Sequence, residues 1–238
     1  EAGIDDRVGV ARRTDTERWL ASARKALADH APAPPMPTCP ADMQGPHDVQ
    51  NPTALYNGMI HPLCPFALRG AIWYQGESNS SEGELYTKRM IALVAGWRQV
   101  WGEGQFPFYY VQIAPFAYGC KPEVIGEFWE AQAAAQSIPN SGMAVINDIG
   151  NLHDIHPTNK QDVGRRLALW ALAKTYGQAA LEYSGPTLKE TSISGEYIRV
   201  TFDHAQGGLS SRDGKSLSWF EIKGRDKAEY VKADARID

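Results

Sequence analysis

Basic charge, cysteine, long apolar runs and nucleotide-binding motifs are all scarce in this sequence. Its 24 Lys+Arg fall short of its 28 Asp+Glu, which gives a formal net charge of −4. A nucleic-acid partner needs a basic face, so none is expected. No apolar stretch approaches the roughly 20 residues that span a membrane, so no membrane span is expected. There is no Gly-x-Gly-x-x-Gly fingerprint, phosphate loop or Gly-x-Ser-x-Gly elbow, and nucleotide binding is unsupported. Three cysteines, Cys39, Cys64 and Cys120, leave at least one unpaired within the chain. No Cys-x-x-Cys spacing suggests a metal knuckle or a redox pair, and the count fits either free thiols or one disulfide. The chain begins at Glu1, without an initiator Met, so it reads as processed or as a piece of something longer.

What the sequence does hold is apolar and aromatic material. Hydrophobic residues make up 43%, with 7 Trp, 10 Tyr and 7 Phe. That suffices for one sizeable core, or a core with a small satellite, in a chain of 238 residues.

The chain divides into three regions. Residues 1–50 hold a short apolar piece from Val8 to Ala11, a helical pattern from Thr16 through Leu27, and a Pro-rich loop over 31–50. Such a loop sustains neither a helix nor a central strand. Residues 51–185 alternate strand and helix. Strands are expected at Leu68–Trp73, Phe106–Ile113 and Met143–Ile146. Helices are expected after Ser81, over Glu127–Gln136, and after Thr158 up to Gly177. Ser81 with Glu84, and Thr158 with Gln161, have capping-box spacing. This order implies an α/β unit with a parallel sheet, in which the Ala71–Trp73 strand is interior and parallel to the next. The apolar segment Pro52–Leu63 reads as a short buried helix whose Met and Leu side chains are core. Residues 186–238 read as the start of a β-rich module, with strands at Tyr197–Phe202 and Leu217–Ile222.

Two polar clusters fall just after predicted strands, where open α/β sheets bind ligands. The first is Trp73-Tyr74-Gln75-Gly76-Glu77-Ser78-Asn79. Gly76 permits a tight turn or close backbone approach, and Gln75 and Asn79 carry amides able to donate to an oxyanion. A polar turn capping the next helix accounts for the same residues equally well. The second runs from Asn151 to Lys160 and contains His153, Asp154 and His156. Histidine is the usual general base near neutral pH, and Pro157 keeps His156 extended. Asp148, Asp154 and Glu127 are possible orienting carboxylates. Zinc binding by two histidines and an aspartate, or an ordinary solvated loop, remain open for this cluster.

Taken together, PTALYNGMIHPL (52–63), RGAIWYQGESN (69–79), FPFYYVQIAPF (106–116), EAQ (130–132) and DIHPTNKQDVGRRLA (154–168) resemble the sialate O-acetylesterase family of SGNH-type hydrolases. The resemblance covers about residues 51–177. It implies a three-layer α/β/α fold and removal of O-acetyl groups from sialic acid or a related sugar, without metal or cofactor. It also implies that His156 is the catalytic base. Many such enzymes place an Asp three residues before that histidine, where this sequence has His153, so Asp154 is the candidate acid partner and a Ser–His dyad or a backbone carbonyl as orienter is the alternative. Gln75, Gly76, Glu77 and Asn79 would then form the oxyanion-side and substrate-binding block. An extracellular, periplasmic or lysosomal-like compartment goes with it.

The family's nucleophilic serine lies in a Gly-Gln-Ser-Asn-like block after the first strand, and this sequence has no such block. Ser78 sits in a different motif. The expectation is therefore that the serine comes from outside this chain, on a second chain or a missing segment, and that the chain alone is inactive. The alternative is a catalytically inactive carbohydrate-binding or structural subunit.

Overall fold

The computed structural model describes residues 6–35 and 53–238. Cys39 and most of the Pro-rich loop lie outside the described residues. The chain forms two compact units, Glu1–Phe66 and Ala67–Asp238.

In the first unit, helix α1 spans Asp6–Ala28. It begins ten residues ahead of the expected Thr16 and takes in the Val8–Ala11 piece. The Trp19 indole N–H donates to the Pro34 carbonyl at 2.9 Å, which ties the chain beyond the helix back to it. Tyr56–Ile60 is a π-helical turn followed by a 3₁₀ turn at His61–Leu63, and neither buries a residue. Met59 and Leu63 are 64% and 55% exposed. The expectation of a buried helix with core Met and Leu side chains is corrected on this point. The segment is helical, but its apolar side chains do not enter a core.

The second unit is built on a parallel sheet of β1 (Ala71–Trp73), β2 (Phe108–Val111) and β3 (Ser141–Ala144), in the order β1-β2-β3. Ala71 pairs with Phe108, and Phe108 with Ser141. The parallel pairing is as expected, but β2 is the central strand and β1 lies at an edge of the described sheet. The physical reason is visible in Ile72, which is 69% exposed although it is level with the buried Tyr109.

Helices α2 (Glu84–Trp101) and α3 (Pro122–Ala134) cover one face, and α4 (Lys160–Trp170) the other. Alternation along β2 assigns the faces. Phe108 meets Trp97 of α2 edge-on, with centroids 6.0 Å apart, and Trp97 in turn meets Trp73 at 5.8 Å. The Tyr110 hydroxyl donates to the Gln132 carbonyl at 2.6 Å. On the opposite face Tyr109, Val111, Ala144 and Ile146 pack with Val163, Leu167 and Trp170. Gly142 lies directly under the Trp170 indole, where a Cβ would overlap the ring. The arrangement is the three-layer, SGNH-like α/β fold.

Neither predicted capping box forms. The chain enters α2 through Gly83 at φ +51°, a left-handed position that costs glycine little, so Ser81 falls short of the helix end. At α4 the cap is Asn159 rather than Thr158. Its Oδ1 accepts from the Asp162 amide at 3.1 Å, and its Nδ2 donates to the Asp162 carboxylate at 2.8 Å. A π-helical turn at Ala171–Thr175 follows α4, and the chain then turns at Gly177 with φ +76°.

Beyond the core, β4 (Thr187–Ser194) and β5 (Tyr197–Asp203) form an antiparallel hairpin, and β6 (Glu221–Ile222) pairs with β7 (Val231–Lys232). This is the expected β-rich region without helix. The strand expected over Leu217–Ile222 shrinks to its last two residues.

Candidate active site

The loops leaving the carboxyl ends of β1, β2 and β3 meet on one rim of the sheet. The β1 loop is fixed at Gly76, whose φ is +153°. A Cβ there would stand 2.9 Å from Ile113 and 3.1 Å from the Phe128 ring, so the backbone occupies space that any side chain would need. Glu77–Asn79 follows as a 3₁₀ turn. The Gln75 Nε2 donates to the Asn79 Oδ1 at 2.6 Å, and the Tyr86 hydroxyl of α2 donates to the Gln75 carbonyl at 2.8 Å. Gln75, Gly76, Glu77 and Asn79 thus form one short structural unit. The engaged end of Asn79 is its oxygen, which leaves its Nδ2 as the end able to donate to a ligand. Ser78 is exposed on the same turn.

The β2 end is held by side chains of α3. The Gln132 Oε1 accepts from the Ile113 amide at 3.0 Å, and the Trp129 indole donates to the Ile113 carbonyl at 3.0 Å. Gln132 is wholly buried and belongs to the EAQ segment. It continues the strand's hydrogen bonding past the end of the sheet, which lets the loop depart from a fixed point.

The β3 loop carries the histidines. The Ala117 amide donates to the Leu152 carbonyl at 3.0 Å, which joins the β2 and β3 loops. A Cβ at Gly150 would stand 2.6 Å from Pro115, a second close approach between them. The Asn151 Oδ1 accepts from the His153 amide and the Asp154 Oδ1 from the His156 amide, each at 2.9 Å. Both are local side-chain turns that shape the backbone. The same Asp154 oxygen lies 3.9 Å from the His156 Nδ1, beyond hydrogen-bond length. The His156 side chain is 86% exposed, while Pro157 beside it is fully buried.

Of the other carboxylates considered, Asp148 engages arginines. Arg166 grips it with two hydrogen bonds of 2.6 and 2.7 Å, and Arg212 adds one of 3.0 Å. The Arg166 hydrogen bonds hold the Asp148 carboxyl below its ordinary range, against the opposing effect of burial.

A contact unforeseen in the sequence joins the outer loops. The Lys160 Nζ, at the start of α4, stands 4.8 Å from the Tyr74 ring centroid. Burial, and then the charge of Glu77, push the Tyr74 phenol up to about 12. Tyr118 of the β2 loop is likewise pushed up to about 12, by burial and then by Glu77, Tyr74 and Cys120. Tyr74, Glu77 and Tyr118 therefore share one electrostatic neighbourhood. Cys64 and Cys120 are free thiols. No group of three or more His, Cys, Asp or Glu able to hold a metal occurs among the described residues. No described helix is long and apolar enough to cross a membrane.

The fold and rim define an SGNH-like hydrolase architecture with its polar loops gathered at the carboxyl ends of the strands. The profile of the family described as carbohydrate esterase, sialic acid-specific acetylesterase, matches residues 45–173, more than half of the chain. The chain belongs to that family. It is 36% identical over 195 residues to the sialate O-acetylesterase of Rattus norvegicus, covering 71% of this chain and 34% of that protein. It is 35% identical over 153 residues to the Homo sapiens sialate O-acetylesterase, covering 56% of this chain and 29% of that one. A carbohydrate acetylesterase from Xanthomonas citri superposes with a TM-score of 0.74 at 43% identity, covering 81% of this chain and 46% of that chain. The chain thus spans about a third of the length of the curated relatives it matches.

Proposed function

We propose that this chain supplies the general base and the oxyanion-side donors of a carbohydrate O-acetylesterase acting on an O-acetylated sialic acid or a related sugar. The observation that carries the reading is the meeting of the two loops. Lys160, four residues after His156, lies over Tyr74, the residue before Gln75.

A serine hydroxyl attacks the acetyl carbonyl while His156 takes its proton. The new C–O bond yields a tetrahedral oxyanion, toward which Asn79 and the Gln75 turn present donors. The oxyanion collapses, the bond between the acetyl carbon and the sugar oxygen breaks, and that oxygen leaves as a hydroxyl with the proton from His156. Water then releases acetate from the acyl-enzyme by the same steps. The serine comes from outside this sequence, which has no Gly-Gln-Ser-Asn-like block.

Two measurements test this. In the complete enzyme, His156→Ala should lower kcat/KM for acetyl release by at least about 10²-fold, with His153→Ala falling much less. The reverse order overturns the assignment of the base. The isolated chain should not hydrolyse an aryl acetate. Turnover that a serine-directed organophosphate abolishes overturns the external serine.

A further inference from the structure

Arg212 lies in the Gly-rich segment between β5 and β6, yet it bonds to the loop that follows β3. Its Nη1 donates to the Asp148 carbonyl at 2.9 Å and to the Asp148 Oδ2 at 3.0 Å. It therefore holds both the backbone and the side chain of one residue. Arg166 of α4 donates to both Asp148 carboxylate oxygens and also to the Val145 carbonyl. Asp148 begins the stretch that leads through Gly150 and the Asn151 and Asp154 turns to His156. Its position sets where that stretch starts.

We propose that Arg212 is a positioning residue for the His156 loop, through which the β-rich region bears on the acyl-transfer site. Its catalytic part rests on His156 being the base. Arg212 touches no reacting group and acts through Asp148. Its side chain is 71% exposed, so the contact adds little to global stability, since exposed ion pairs contribute little. Its effect is on placement, to which acyl transfer is sensitive because small displacements of a base cost rate steeply. A planar guanidinium can bond a carbonyl and a carboxylate oxygen together, whereas a lysine offers only a point charge on a flexible stem.

The test has two arms. In the 238-residue chain, Arg212→Ala should speed amide hydrogen exchange at His153, Asp154 and His156 by roughly fivefold or more, with Arg212→Lys intermediate and the melting temperature unchanged. Exchange equal to that of the unaltered chain overturns the proposal. In the complete enzyme, Arg212→Ala should lower kcat roughly tenfold with KM within about twofold, and Arg212→Lys should recover part of the loss. Faster exchange with unchanged kcat overturns the link to catalysis. Should His156→Ala keep full activity, the assignment of the base fails, while the exchange arm still decides whether Arg212 positions the loop.

Discussion

The ammonium of Lys160 stands 4.8 Å above the ring of Tyr74, so the first residue of α4 is seated on the residue that opens the β1 loop. The Tyr74 hydroxyl beneath is shielded from solvent and has no hydrogen-bond partner among the described residues. A buried hydroxyl left unpaired is a cost, while the ring itself packs and receives the cation. Tyr74→Phe should therefore leave the chain as stable as before or raise stability by up to about 1 kcal/mol. Urea denaturation of the two proteins measures this. A loss of stability would mean that the hydroxyl has a partner and that the rim is organised differently.

Gly76 allows a sharper expectation. Alanine there meets Ile113 and Phe128 and must adopt φ near +153°. Overpacking together with backbone strain should destabilise Gly76→Ala by about 2–4 kcal/mol. Denaturation midpoints read the loss directly. A change within a few tenths of a kcal/mol would show that the turn has room to relax.

Asp148 gives the acid dependence a sign. Its folded pKa lies below the ordinary 3.8. The stabilisation it contributes is therefore complete above that ordinary value and is lost as pH falls through the lower folded one. Asp148→Asn should be less stable than the unaltered chain near pH 6, with the difference shrinking below about pH 4. Added salt should shrink it too, because the cluster is partly exposed. Equal gaps at pH 6 and pH 3 would contradict the pairing.

The sequence made the sheet legible because β1 and β2 lie in short apolar and aromatic runs separated by helical periodicity, and β3 overlaps the Met143–Ile146 run although it begins two residues earlier, at Ser141. Parallel pairing follows from the crossovers that such spacing demands. The rim clusters were legible for a related reason, since polar residues directly after such runs have to fall at strand ends. Helix starts were not, because Ser81 and Thr158 compete locally with Gly83 and Asn159, and backbone geometry decides between neighbours. The edge position of β1 was hidden because Ile72 is as apolar as a covered residue. The Asp148–Arg212 contact joins residues 64 positions apart, and no local pattern announces it.

That edge carries its own expectation. Ile72 is 69% exposed on a strand with a described neighbour on one side only, a surface that invites pairing with another chain. Ile72→Lys should reduce self-association of the isolated chain, because a charge on an edge strand opposes strand addition. Light scattering at rising concentration measures the change. A monodisperse unaltered chain would show that the edge is already protected.

The role of Asp154 can be separated into charge and shape. Its Oδ1 accepts the His156 amide at 2.9 Å but stands 3.9 Å from the His156 Nδ1. The first contact is a hydrogen bond and the second is not. Its carboxylate is also half-exposed, where solvent weakens its hold on a neighbouring imidazole. Asp154 therefore shapes the turn, and if His156 is the base as proposed, a Ser–His pair without a carboxylate partner is the arrangement to test. Asparagine keeps the accepting oxygen and loses the charge, while alanine loses both. In the complete enzyme, Asp154→Asn should hold kcat/KM within about threefold, and Asp154→Ala should lose roughly tenfold through misplacement of His156. Steady-state rates of acetyl release from an acetylated sugar give both numbers. A loss in Asp154→Asn as deep as that in His156→Ala would mean that the carboxylate closes on Nδ1 when substrate binds, and would make Asp154 the acid of a triad.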